Sequence, residues 1–187
     1  MGYVPRLKEL YAKEILPALM ERFGYTNVWQ APRLVKCCVN MGVEGAKTDQ
    51  ETLEKAVKEL SKVIAQRPNI TRAKKSIANF GIRQGMAIGC RATLRGQRMW
   101  EFVDILFSAT LPRIRDFRGL SRDAYDGRGN YSIGLTDLLI FPQLNYDEVE
   151  KTRGMDITLV TTAKTDEESA ALLEMLGLPT KKADAKQ

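Results

Sequence analysis

Apolar residues recur along this chain with two periods, and the two alternate. Helical spacing appears four times. In residues 5–23, Leu7, Leu10, Tyr11, Ile15, Leu19 and Phe23 fall near one face, and Pro17 is expected to kink the helix. In 49–66, Leu53, Ala56, Val57, Leu60, Val63 and Ile64 form a stripe behind a capping-box pattern, Thr48 with Glu51. Residues 98–111 bury Met99, Phe102, Val103 and Leu106, and Pro112 is expected to stop them. A last helix, 166–176, opens on Thr165 and Glu168 and closes at Gly177 and Pro179.

Strand period fills the intervals. In 34–43, Val35, Cys37, Val39 and Met41 alternate with Leu34, Lys36, Cys38 and Asn40. In 86–95, Met86, Ile88, Cys90, Ala92 and Leu94 alternate with Ala87, Gly89, Arg91, Thr93 and Arg95. Residues 155–163 alternate in the same way, and 70–73, 131–135 and 138–141 are shorter strand candidates. Helix, strand, helix, strands, helix, strands, helix predicts an α+β fold: a largely antiparallel sheet with helices packed on one face and the other face open. One domain over 1–178 accounts for this pattern, and 179–187 reads as a flexible C-terminal tail.

Charge sharpens the picture. Residues 67–122 hold twelve Lys or Arg against three acids, a local balance of +9 in a chain whose total is +6. Positive charge gathered in a patterned middle suits a polyanionic partner, although a merely solvated basic face has the same composition. Other classes recede. Histidine is absent, which removes the commonest general base and metal ligand, so no catalytic residue, metal or cofactor is assigned. Three cysteines, two of them adjacent at 37 and 38, fit neither a disulfide framework nor a zinc site and read as reduced thiols. No apolar run approaches the ~20 residues of a membrane span, and the first residues lack a secretory core. A cytoplasmic protein without a membrane partner is expected.

The 86–95 strand concentrates the chemistry. With its apolar side against helices, its other side presents Arg91, Thr93 and Arg95 at ~6.6 Å intervals, two strand rises. Three such residues do not sit under a covered face without paired acids, which the neighbouring sequence does not supply. Lys36 and Asn40 of the first strand would join them as donors for phosphate and ribose oxygens. Residues 72–85 read as a protruding basic loop, whose Ile77, Phe80 and Ile82 could anchor it or stack on an unpaired base. Mobility without a partner is expected for that loop. Residues 112–122 form another exposed basic stretch. Asp126-Gly127-Arg128-Gly129-Asn130 reads as a flexible loop and not a dinucleotide fingerprint, since no strand precedes it and no helix follows.

Several stretches then match a family in order. They are Arg33 to Val43, Gln66-Arg67-Pro68 with Ile70 to Ile77, Gly89 to Gly96, Arg113 to Gly119, and Arg153 to Asp166. From about residue 3 to 178 the chain resembles the bacterial large ribosomal subunit protein five family. Ile64-Ala65 departs from it, because the family usually carries a small polar residue and Gly there; Asn79 and Gly81 also look less usual. The resemblance implies a structural protein that binds 5S rRNA and helps attach it in the central protuberance, with large-subunit rRNA and other 5S rRNA-binding ribosomal proteins as neighbours. It implies RNA contact by Asn40, Gln66, Thr93 and Arg95, and Lys36, Thr71 and Arg91 complete the candidate RNA-binding set. It further implies that a loop carrying Lys74, Lys75, Ser76, Ile77, Asn79, Phe80, Arg83 and Gln84 reaches the P-site tRNA. Arg113, Arg115, Asp116, Arg118, Tyr146, Asp147 and Glu148 would meet small-subunit protein thirteen in an intersubunit bridge. Two other classes stay open on the residues alone: an enzyme acting on nucleic acid or a phosphorylated substrate through Lys or carboxylates, and a protein–protein scaffold.

Overall fold

The computed structural model describes residues 3–45, 49–145, 149 and 152–181. The α+β expectation holds. Five strands lie in the order β2-β3-β1-β5-β4, where β1 is Leu34–Gly42, β2 Asn69–Arg72, β3 Ala87–Leu94, β4 Tyr131–Leu135 and β5 Met155–Thr161. The helices are α1 (Arg6–Leu10), α2 (Leu16–Phe23), α3 (Gln50–Ile64), α4 (Gly96–Ile105) and α5 (Asp166–Met175). The chain forms two compact units, one of residues 1–37, 95–133 and 158–187, the other of 38–94 and 134–157.

In the first unit, α1 packs beside α4, with the Tyr11 and Trp100 rings 5.8 Å apart. Arg6 forks onto Asp104 at 3.2 and 2.5 Å. Leu7, Ile15, Leu19, Phe102, Val103, Leu106 and Leu172 are buried there. A π-helical turn at Tyr11–Ile15 carries α1 into α2 just ahead of Pro17, and another at Leu106–Thr110 precedes Pro112. A proline lacks the N–H and crowds the preceding turn, and a wider turn relieves both. The helical segment expected over 98–111 starts at Gly96 as α4, earlier than expected, and the chain passes Pro112 in a 3-10 turn, Leu111–Arg113. The Asp126–Asn130 loop is held, not loose. Asp126 accepts from Arg128 N and Asn130 N at 2.9 and 3.0 Å, and Asp166 accepts from Gly127 N and Gly129 N at 3.1 and 2.8 Å. An internal carboxylate occupies the concavity of amide groups that a phosphate would otherwise enter.

In the second unit, α3 lies against β3. Leu53, Ala56, Leu60, Val63 and Ile64 of the helix are buried, as are Cys90, Ala92 and Leu94 of the strand and Val39 and Met41 of β1. The α3 cap is Asp49, which accepts from Glu51 N at 2.9 Å; Thr48, the expected cap, lies outside the described residues. Segment 138–141 is a turn and not a strand. Asp137 accepts from Leu139 N at 2.8 Å, Phe141 N bonds Leu138 O at 3.1 Å, and both Leu138 and Phe141 are fully buried. A short apolar run reads alike as a strand or as a buried turn.

One feature of this core had no sequence forecast. Glu59 and Arg153, each with a side chain 7% exposed, form an ion pair inside it. Both bear on Cys90 nearby, whose thiol burial pushes up to about 11, so it stays protonated. All three cysteines are free thiols.

Candidate nucleic-acid interface

Burial along β3 separates its two sides. Cys90, Ala92 and Leu94 are buried, whereas Arg91 and Thr93 are exposed. Arg95 follows the strand with φ −142° and ψ 164°, still extended, and is exposed as well. Among the described residues, neither Arg91 nor Arg95 forms an ion pair. Among the described residues, these groups are exposed and not locked to acids.

Strand register extends the surface. β2 runs antiparallel to β3 with Asn69 opposite Arg91, Ile70 opposite Cys90 and Thr71 opposite Gly89. Directly opposed residues share a sheet face, so Asn69 and half-buried Thr71 stand on the side of Arg91. Asn69 was missed from sequence, because four residues of strand carry too little alternation to assign a face. On β1, Asn40 is exposed and Lys36 half-buried, and Val39 and Met41 turn inward. On β5, Met155, Ile157 and Leu159 are buried and Asp156 is exposed by the same alternation. The basic character therefore belongs to β3 and its β2 and β1 neighbours.

Two local devices keep this surface in shape. Gly89 lies so close to Met41 O that a Cβ there would collide with it, so glycine lets β3 approach β1. At the end of α3, Ala65 turns the chain with φ 51°, a left-handed conformation that favours glycine, and sends half-buried Gln66 towards β2. This is where the chain departs from the family it resembles, and the turn is made without the glycine.

The basic loop between β2 and β3 is cross-braced. Ala73 N donates to Met86 O at 2.8 Å, Gly85 N to Ala73 O at 2.9 Å, and Ile77 and Ile82 exchange both backbone bonds at 2.8 and 3.1 Å. Ser76 Oγ accepts from Gln84 N at 3.0 Å. At the tip, a 3-10 turn of Ala78–Phe80 exposes Phe80 to 65% and Ile77 to 45%, so neither anchors the loop in the core. Lys74, Lys75, Asn79 and Arg83 are exposed beside them. In the first unit, Arg113, Arg115, Asp116 and Arg118 are also exposed, and Asp116 holds φ 54°. Tyr146, Asp147 and Glu148, assigned to the same role, lie outside the described residues.

Comparison with known proteins decides the family. Residues 27–83 match the model of ribosomal protein L5, and residues 87–180 match that of the ribosomal L5P family C-terminus. The chain belongs to the ribosomal L5 family. Large ribosomal subunit protein uL5 of Thermoanaerobacter sp. (strain X514) is 58% identical over 174 residues, 93% of this chain and 97% of the relative. The uL5 of Thermus aquaticus is 58% identical over 176 residues, 94% and 97% of the two chains, and that of Clostridium tetani 56% over 176, 94% and 98%. L5 membership makes this a ribosomal protein and not an enzyme. The exposed donors of β1, β2 and β3 lie within the L5 match and the start of its C-terminal partner.

Proposed function

We propose that this chain binds 5S rRNA through the open side of its sheet and helps attach it in the central protuberance of the large subunit. Asn40, Gln66, Asn69, Thr71, Arg91 and Thr93 contact riboses, phosphates and base edges in one unit, and Lys36 and Arg95 add contacts from the other. The single observation that carries this reading is the exposed, unpaired Arg91 on a strand whose opposite side is buried. A guanidinium held by a rigid strand and not neutralised internally is suited to phosphate.

The braced loop of Lys74, Lys75, Ser76, Ile77, Asn79, Phe80, Arg83 and Gln84 offers exposed cations and an exposed ring to the P-site tRNA. The stretch with Arg113, Arg115, Asp116 and Arg118 supplies the bridge to small-subunit protein thirteen. The whole of 1–178 acts as the 5S rRNA-binding domain, in the cytoplasmic ribosome and beside large-subunit rRNA and the other 5S rRNA-binding proteins. Fluorescence anisotropy with labelled 5S rRNA tests the main assignment. Arg91→Glu is expected to weaken binding at least tenfold while leaving the melting temperature in place; unchanged affinity would remove the sheet face from the account.

A further inference from the structure

Thr26, Asn27, Val28, Trp29 and Gln30 are all exposed, and Trp29 leaves 77% of its surface to solvent. So large a ring forgoes the stabilisation that burial would give. Yet it is firmly mounted. Asn27 accepts from Trp29 N at 3.0 Å, and backbone bonds from Gln30 N to Asn27 O and from Ala31 N to Val28 O close a 3-10 turn beneath it. Tyr11 donates its hydroxyl to Pro32 O at 3.1 Å. Arg33 is tied by two bonds to Thr162, donating N–H to its Oγ1 and accepting from its N, both at 3.0 Å. From that anchored backbone, Arg33 lays its guanidinium 5.4 Å from the centre of the Trp29 ring.

We propose that Trp29 and Arg33 form a stacking platform for an unpaired RNA base, with Arg33 also meeting its phosphate. The proposal rests on the reading above that the partner is RNA, and adds a site distinct in residues from the sheet face. An aromatic ring beside Arg also suits protein interfaces. RNA is favoured because the exposed neighbours Thr26, Asn27 and Gln30 are donors and acceptors for base edges. Moreover, from Arg22 to Val43 the sequence has three basic residues and no acid. Indole stacking tolerates any base, and arginine adds attraction for both ring and phosphate.

Trp29 reports on itself. Its emission is followed in the full chain during titration with 5S rRNA and, separately, with a 12-nucleotide single-stranded RNA of mixed sequence. Trp29→Phe supplies the background of buried Trp100. Quenching of the Trp29 component by either RNA, with about tenfold weaker binding of that RNA by Trp29→Ala and partial recovery in Trp29→Phe, supports the platform. 5S rRNA that binds without altering Trp29 emission, while the short RNA also leaves it unchanged, overturns the platform and leaves the sheet-face reading intact. Quenching by the short RNA without any 5S rRNA binding keeps the platform and sinks the sheet-face reading. A Trp29 response to added ribosomal protein alone, and to neither RNA, overturns the platform in favour of a protein contact.

Discussion

At the scale of single residues, the chain mixes groups set for a partner with groups set for itself. Arg91 and Glu59 illustrate the difference. Arg91 is exposed and pairs with no acid among the described residues, whereas Glu59, of opposite charge, is sealed against Arg153. Removing one member of a buried pair leaves the other charge uncompensated in a poorly polarisable core. Glu59→Ala is therefore expected to cost about 3–5 kcal/mol, read from urea unfolding, with much of the loss restored when Arg153 is replaced by Met as well. The sequence did not disclose this pair. Glu59 sits three positions beyond Ala56 on an apolar stripe, where a glutamate ordinarily reads as a solvated flank, and Arg153 is ninety-odd residues away. Ala65 was half legible: its departure from the family pattern was visible, but its left-handed backbone required coordinates. Ala65→Gly should raise stability by about 1 kcal/mol, since glycine adopts that conformation without a Cβ clash. An unchanged urea midpoint would count against strain there.

At the scale of elements, the long periodic segments were readable and their ends were less so. The α5 start was legible because Thr165 and Glu168 follow a local rule: Thr165 Oγ1 accepts from Glu168 N at 3.4 Å, and Glu168 accepts from Lys164 N at 2.9 Å. The α3 start was not, because Thr48 and Asp49 are both good caps and only one can turn the chain. Both π turns escaped because proline announces a fault in a helix without stating how it is accommodated. The α5 cap has a consequence in acid. Desolvation acts to raise the Glu168 carboxyl, but hydrogen bonds from Tyr25, Lys164 and Thr165 outweigh it and hold the group below its ordinary value. The unfolded chain then takes up a proton before the folded one does, so this contribution is full above the ordinary glutamate range near pH 4.3 and is lost as pH falls through the lowered folded value. Thermal melts between pH 6 and 3 should show a shallower decline in Glu168→Gln than in the parent. Parallel declines would mean that the cap carries no pH-linked stability.

At the scale of the whole molecule, the uneven charge is the property most directly tied to function. The +9 of residues 67–122 was visible in the sequence, and the structure distributes it over the β2–β3 side of the sheet, the braced loop and the basic stretch after α4. What alternation could not supply was register: only the pairing of Asn69 with Arg91 places β2 side chains beside those of β3. Release of counterions from RNA makes this surface measurable as a whole. The decisive experiment is the equilibrium affinity for 5S rRNA over a series of salt concentrations, in the parent chain and in Arg91→Glu and Arg95→Glu. About six phosphate contacts, at ~0.7–0.9 each, give a log–log slope near −4 to −5 in the parent, reduced by about one in either variant. An affinity that is flat with salt, or slopes identical in all three proteins, would contradict the claim that this sheet face grips the RNA backbone.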